Sequence, residues 1–361
     1  MELWIFTPFD HIQCGALDEY DELTMTRRNI REGSIQFISP LTDITKLIHT
    51  SSIVWAQGDE TAYIVTTCEK RKSSNGKEIV IVNGACLKWI LSMRSLERPK
   101  VYAGKTGAIM IKILTDVFAQ SKKKFPRFSF EIDPALGDDM TMEAGSEDIL
   151  RLFIALCEAS GLTMRMTFNS HTQEVKLIVE AGEDHSINNG VLPIVQFDDA
   201  QETIENVEYT ESINDAKNVM YIEDVDGVVM EVGATDKTGY ERFEDSMKES
   251  RGRSYTTDDG TTVELTPEQY RKMKETEALK ALDRKKPVES IEGDTAIENQ
   301  QLVYGTDYRL GDIVTAKKSD WEVAIDVRVV EEAMKHRGGI ITRNLTLGDP
   351  LPTIADRIKM R

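Results

Sequence analysis

The sequence predicts an α+β protein, mainly β and multidomain, on three observations. One short β spelling occurs twice, far apart in the chain; the apolar spacing turns helical between Gly104 and Gly161; and residues 234–301 are polar and heavily charged. Strands alternate at a period of two and helices at about 3.6, so these shifts mark changes of architecture. A chain of 361 residues exceeds one ordinary core, and roughly two to four domains are expected. The boundaries fall at 1–100 for a first β-barrel-like unit, 104–185 for a small α+β domain, 190–233 with 302–350 for a second, split β-barrel-like unit, 234–301 for a charged insertion with a helix, and 351–361 for a C-terminal tail.

The repeat defines the two β-units. Its first copy runs Ile64, Val65, Thr67, Glu69, then Gly76, Ile79, Val80, and closes on Gly84-x-x-Leu87. The second runs Asp326, Val327, Val329, Glu331, then Gly338, Ile340, Ile341, and closes on Gly348-x-x-Leu351. Each is an alternating strand, a polar turn with a Gly seven residues after the Glu, and a second apolar strand, which is the pattern of a β-hairpin. The second strands slip by two residues relative to one another, and any two hairpins share some of this spelling. Duplication of one β-unit is the expectation.

Before the first hairpin, Ser34-Ile35-Gln36-Phe37-Ile38 alternates and 52–56 gives a further strand; after it, 87–96 reads as a short helix stopped by Pro99. Met110, Ile113, Leu114, Val117 and Phe118 form one apolar helical face opening near Thr106. A second helix starts with Ser146 as its cap, carries Ile149, Leu152, Phe153 and Leu156, and stops at Gly161. Strands at 163–168 and 175–180 complete that domain, and the β pattern returns at 194–197, 204–209 and 218–222. Within the insertion, Thr266-Pro267-Glu268-Gln269 is a capping box with Pro at the first helical position.

Met1-Glu2-Leu3-Trp4 lacks the basic and apolar regions of a secretory signal, and no apolar run reaches bilayer length; a soluble protein made in the cytoplasm, without a membrane anchor, is expected. Cys14, Cys68, Cys86 and Cys157 have no C-x-x-C spacing, and the five histidines show no i, i+4 pairing. Neither a metal nor a cofactor is expected.

Charge is uneven. Residues 1–124 carry 17 basic and 14 acidic side chains, the remainder 27 against 48, and 181–245 alone holds 17 acids against Lys217, Lys237 and Arg242. Such a surface repels polyanions, which disfavours reading nucleic acid through phosphate contacts. Asp198, Asp199, Glu202, Glu205, Glu208, Glu211, Asp224 and Asp226 are candidates for a wall that nucleic acid slides past without sticking. Solvated loops that keep the protein soluble account for the same charges.

Catalytic constellations are weak. Gly104-Lys105-Thr106 lacks the glycine a phosphate loop needs five residues earlier, where Pro99 stands. Asp224-Val225-Asp226-Gly227 begins like a calcium loop but lacks its later ligands. The pairs Asp138-Asp139, Asp198-Asp199 and Asp258-Asp259 would suit glycoside cleavage, yet in so acidic a chain turns and solvated edges explain them better. There is no G-x-S-x-G elbow, and no residue is assigned a catalytic role.

Four passages carry a resemblance. Leu17-x-x-Tyr20-x-x-Leu23-x-x-Thr26-Arg27-Arg28 leads to Gly33-x-x-Gln36-Phe37; Val82-x-Gly84-x-x-Leu87 precedes Leu91-x-x-Arg94; and Ile204-x-Asn206-Val207-x-Tyr209-x-x-Ser212 runs on to Lys217-Asn218. Near the end stand Tyr304-x-x-Asp307-Tyr308-x-Leu310-Gly311-Asp312-x-Val314-Thr315 and Thr346-Leu347-Gly348-Asp349-Pro350-Leu351-Pro352-Thr353. In this order they resemble the phage tail hub family, which includes the N-terminal structural part of siphophage tail-associated proteins, contractile baseplate hubs and the hubs of phage-tail-like bacteriocins.

The resemblance implies two tail-tube-like β-barrel domains per subunit, a homotrimer with pseudo-sixfold symmetry, and a place at the virion tail tip or baseplate after assembly in the host cytoplasm. Implied partners are the tail tube protein, the tape-measure protein, distal tail or baseplate proteins and a tip or spike protein, with DNA only in transient, non-specific passage. Gly76, Gly84, Tyr308, Gly311, Asp312, Gly338 and Gly348 then belong to structural motifs, with Gly311 supplying a turn conformation and Asp312 capping the backbone. A different class of reading is a tail-associated hydrolase acting on peptidoglycan or surface polysaccharide; many relatives continue into such a region, and this chain ends at Arg361.

Overall fold

Seven strands open the chain: β1 (Leu3–Phe6), β2 (Gln13–Leu17), β3 (Glu22–Arg28), β4 (Ser34–Pro40), β5 (Ile53–Ala56), β6 (Tyr63–Lys72) and β7 (Glu78–Cys86), with the helical turn α1 (Asp43–Lys46) after β4. Alternation sets their faces. In β4, Ile35, Phe37 and Ser39 are buried while Ser34, Gln36 and Pro40 are exposed. The computed structural model describes residues 1–73, 75–145, 147–223, 227–248, 253–256, 262–283, 285–295 and 302–348; the expected tail at 351–361 lies outside them.

The segment Leu87–Met93 is a 3-10 helix, and beyond it comes the α+β domain. Its elements are β8 (Lys100–Lys105), α2 (Thr106–Phe118), β9 (Phe128–Ile132), β10 (Asp139–Ala144), α3 (Ile149–Ser160), β11 (Leu162–Asn169) and β12 (Glu174–Ala181). Asp148 caps α3 by accepting from the Arg151 amide, and Gly161 ends it in the left-handed region; Ser146, the expected cap, lies outside the described residues. The apolar faces of α2 and α3 share a core with Phe6, Ile53 and Trp55. The domain is therefore seated on the β1–β5 end of the first unit.

Next come β13 (Gln196–Asp198) and β14 (Glu205–Ser212), then β15 (Val219–Glu223), β16 (Val229–Gly233), β17 (Glu244–Lys248), β18 (Ser254–Thr256), β19 (Thr262–Glu264) and α4 (Pro267–Asp283). The chain closes with β20 (Val288–Asp294), β21 (Ile313–Lys318), β22 (Val323–Arg337) and β23 (Ile340–Gly348). The capping box of α4 forms as read, with the Gln269 amide donating to Thr266 Oγ1 and the Thr266 amide to Gln269 Oε1.

Two strand placements differ from the expected boundaries. Strands β15 and β16, expected in the second β-unit, pair instead with each other and with β17, over a small core of Met220, Ile222, Val232, Ala278 and Leu282 shared with α4. The excursion thus leaves the second unit after β14, before residue 234. Strand β20, expected inside the insertion, returns to pair with β14 and β23. Alternation identifies β15 as a strand but not its partner; β16 and β20 are not among the strands the sequence predicts.

The two expected barrels do not close. One sheet of 13 strands runs β14-β20-β23-β22-β3-β4-β7-β6-β5-β1-β2, with β21 on β22 and β13 on β21. Strand β3, the edge that closure of the first unit would need, is taken by the second half of β22. Within this sheet the two units share one path. Counting each unit's strands in chain order, β1, β3, β4, β5, β6, β7 and β13, β14, β20, β21, β22, β23 both run second-third-sixth-fifth-fourth-first. They differ in that the first unit adds β2 beyond β1, and in that β1 is antiparallel to β5 whereas β13 is parallel to β21.

Both hairpins also carry a bulge, between Val65 and Thr67 in β6 and between Val329 and Glu331 in β22. A bulge inserts one residue and so inverts the alternation beyond it. Val329 therefore enters the core of the second unit, while Met334, past the bulge, completes the core of the first. Matching the bulges sets Thr67 against Glu331, two residues from the spelled match with Glu69.

Candidate channel-lining face

Strand register brings one polar face together across both units. Cross-strand rows on it read Glu208–Glu292–Thr346–Glu331–Arg28, Asp294–Asn344–Ala333–Thr26–Ser34–Ala85, and Thr342–Lys335–Thr24–Gln36–Asn83–Thr67. The opposite face is apolar, with rows such as Tyr209–Ile291–Leu347–Val329 and Met334–Met25–Ile35–Gly84–Val65. Side chains on the polar face are chiefly Ser, Thr, Asn, Gln and Ala, with the ion pairs Arg28–Glu331 at 2.6 Å and Lys335–Glu22 at 2.9 Å.

Acids gather at its β14–β20 end. Burial, with Glu208 and Glu331 nearby, raises the pKa of Glu292. A raised carboxyl pKa means that stability is full below the ordinary carboxylate range and declines as pH rises through the folded value. Glu292→Gln should therefore stabilise the chain at neutral pH by about 0.2–1 kcal/mol, the scale of a like-charge cross-strand pair, with the gain vanishing in acid. Urea unfolding at both pH values checks this; an equal effect at both would contradict the assignment.

The acids expected to form the wall do not act together. Asp198 is 2% exposed; it accepts from the Ala200 amide and from Gln196 Nε2, so it is a buried cap and cannot line a channel. Asp199 is paired with Lys318, whose hydrogen bond lowers its pKa. Glu202 is exposed in a left-handed turn. Glu205, Glu208 and Glu211 are exposed on β14, but register sets Glu208 opposite Glu292 on the polar face and Glu211 on the face of Tyr209. Asp224 and Asp226 lie outside the described residues.

Where β3 meets β22, a charged cluster is buried. Arg27 donates to Asp59 at 2.6 Å and to Glu332 at 2.7 Å, both carboxylates being 3% exposed, and its guanidinium lies over the Tyr304 ring. Burial works against the arginine's charge, but the two carboxylates outweigh it and hold its pKa above the ordinary value. Tyr304 donates on to Glu60. Beside it Lys88, also buried, donates to the carbonyls of Arg28, Asn29 and Met164 at 2.5, 2.7 and 3.1 Å, tying the first unit to the α+β domain. The sequence reading missed this cluster; its one local signal is Arg27-Arg28 at the end of a strand whose Leu23 and Met25 are core.

The motif residues hold these parts in place. Gly311 adopts φ 97, and a Cβ there would lie 2.1 Å from Thr163 Cγ2 and 2.9 Å from Asn29 Oδ1. Buried Asp312 accepts from the Glu183 and Arg309 amides, each at 2.8 Å. Tyr308 packs edge-on against Phe197. Gly84 and Gly348 sit where a Cβ would strike the carbonyls of Ile64 and Glu289. Gly76 lies in the loop between Lys72 and Glu78, and Gly338 with Gly339 makes the two-residue turn between β22 and β23, so both mark equivalent hairpin tips. Among the described residues no group of three or more His, Cys, Asp or Glu could hold a metal ion, and no helix is long and apolar enough to cross a membrane.

The sequence pattern of the siphovirus ReqiPepy6 Gp37-like protein family matches residues 2–349. The chain belongs to that family. This is the phage tail kinship that the four passages pointed to. The fold is similar to that of prophage tail protein gp18 from Listeria monocytogenes EGD-e, with TM-score 0.58 and 14% identity over 99% of this chain and 98% of that one. It is also similar to a tail protein from Neisseria meningitidis MC58, at 0.59 and 11% over 96% of both chains. A third likeness is to the 43 kDa tail protein of prophage MuSo2 from Shewanella oneidensis, at 0.57 and 9% over 96% of this chain and 97% of that one. No curated protein matches the chain.

Proposed function

We propose that this Gp37-like protein is a structural tail hub, a trimer whose pseudo-sixfold ring joins the tail tube to distal tip or spike proteins around a central channel. The observation that carries the reading is the doubled strand path: one chain presents two units with the same strand order and equivalent bulged hairpins. Three such chains offer six comparable edges to a sixfold tube. The chain's likeness to phage tail proteins over nearly its whole length supports the same reading.

The channel wall in this proposal is the polar face of the sheet, and not the acidic stretch as a whole. Small uncharged polar side chains with balanced ion pairs give passing DNA nothing to grip, and acids near Glu292 repel its phosphates. Strands β2 and β14 end the main path of the sheet, and β13 ends its side branch; pairing β2 with β14 between neighbours would continue the sheet around the ring and remove two exposed edges. The partners would be the tube and tape-measure proteins above and distal, baseplate or tip proteins below, with DNA only in passage.

Immunogold labelling of intact particles tests this placement: label at the distal end of the tail is expected, and label along the shaft or at the head would refute it. The hydrolase reading has no supporting constellation among the described residues. Purified protein should leave cell-wall substrate uncleared, and a clearing zone would favour that reading instead.

A further inference from the structure

We propose that copies of this chain lock head to tail through a basic corner beside β2 of one copy and the acidic β14 edge of the next. The contact rests on the ring proposed above. Its two surfaces belong to opposite ends of one sheet, since among the described residues β2 pairs only with β1 and β14 only with β20. A contact between opposite ends is heterologous, and it makes a ring when the rotation closes.

The corner is built by the turn after α2. Lys122, Lys124 and Arg127 are exposed there. Phe118, Phe125 and Phe128 pack on one another beneath the turn, Phe125 edge-on to the other two, with Arg94 over Phe125. Arg127 Nη1 donates to the Asp10 carbonyl at 3.1 Å, which holds the turn beside the β1–β2 loop. That loop exposes Phe9 by 76% and Ile12 by 61%. Arg127 thus sits beside an apolar knob at this end of the sheet, in the same turn as Lys122 and Lys124.

The far end has the complementary character. Glu205, Glu208 and Glu211 on β14 and Glu289 on β20 are exposed, and none of the four forms an ion pair among the described residues. Ile213, one residue past β14, is 54% exposed. Two β14 edges would repel one another, and a chain of net charge −18 repels its own copies generally. The Lys122–Lys124 turn escapes that repulsion: Lys122 and Lys124 have no ion-pair partner among the described residues, while Lys123 is paired with Glu97. A second copy approaching head to tail is the occupant whose charge and apolar exposure fit both surfaces.

The test is sedimentation of the full chain across concentration and salt, with two charge-reversed variants. Lys122→Glu/Lys124→Glu and Glu208→Lys/Glu211→Lys should each weaken association on the order of tenfold, and combining all four substitutions in one chain should restore it. Raising salt should weaken the unmodified trimer and leave each variant less affected. Zero-length carbodiimide cross-linking of mixed heavy- and light-isotope chains gives a readout independent of folding in the variants. Links from Lys122 or Lys124 to Glu205, Glu208, Glu211 or Glu289 between copies are expected. A trimer indifferent to salt and to both reversals, or cross-linked elsewhere, overturns this contact alone. A chain that stays monomeric in every condition and yields no link between copies in purified particles overturns the ring reading with it.

Discussion

Replacing Gly311 with Val will cost the chain on the order of 4 kcal/mol, combining about 1–3 for a β-branched residue held at positive φ with a similar amount for overpacking. At φ 97 the new side chain would start 2.1 Å from Thr163 Cγ2 and 2.9 Å from Asn29 Oδ1. Relief by backbone movement is blocked on both sides. The Gly311 amide donates to the Val329 carbonyl, its carbonyl accepts from Arg328, and Gly182 is close enough that its own Cβ would strike that oxygen. First unit, α+β domain and second unit all meet here. Gly305 is the control, since it has φ 84 with nothing near its missing Cβ; Gly305→Val should show the strain alone. Thermal and urea unfolding of both variants separates the two costs, and equal losses would show that packing at Gly311 contributes nothing.

Arg27→Leu should cost about 3–5 kcal/mol, the penalty for removing one partner of a buried ion pair; Asp59 would lose its ion-pair partner and Glu332 would keep only Arg343, at 3.9 Å. Asp59 and Glu332 would remain at 3% exposure, facing an apolar side chain where a guanidinium stood at 2.6 and 2.7 Å. The loss falls on the β3–β22 seam, so the two units should begin to unfold separately and the transition should broaden. Arg27→Lys should fall between, because a single ammonium cannot reproduce the planar fork that bridges two carboxylates. A loss under about 1 kcal/mol for Arg27→Leu would mean that the seam is held by strand pairing alone.

Much of this architecture is legible locally. Both hairpins, the Gly161 stop of α3, the capping box of α4 and the turn at Gly311 depend on residues within a few positions of one another, and each carries its own signature; the N-cap of α3, expected at Ser146, is Asp148. What the sequence hides is pairing. Strand β15 alternates like any other, whereas β20 carries too few apolar residues to announce a strand, and only Met220 and Ile222 meeting Ala278 and Leu282, or Ile291 meeting Leu347, tells which sheet each joins. The bulges in β6 and β22 leave no mark in the residue types, so spelling alone set Glu69 against Glu331. Acid clusters mislead for a similar reason: Asp198 and Asp199 look like their exposed neighbours until Gln196, Ala200 and Lys318 are brought beside them. Arg27 and Glu332 are 305 residues apart, and no local pattern predicts their meeting.

Cryo-electron microscopy of the tail tip of intact particles distinguishes a threefold ring of doubled units from a sixfold ring. Three copies are expected in the hub ring, with the β6–β7 and β22–β23 hairpins alternating in six near-equivalent positions and Gln36, Asn83, Glu292 and Glu331 on the channel wall. Six copies of the chain in that ring, or a wall on which the apolar face of the sheet replaces these residues, would contradict this arrangement.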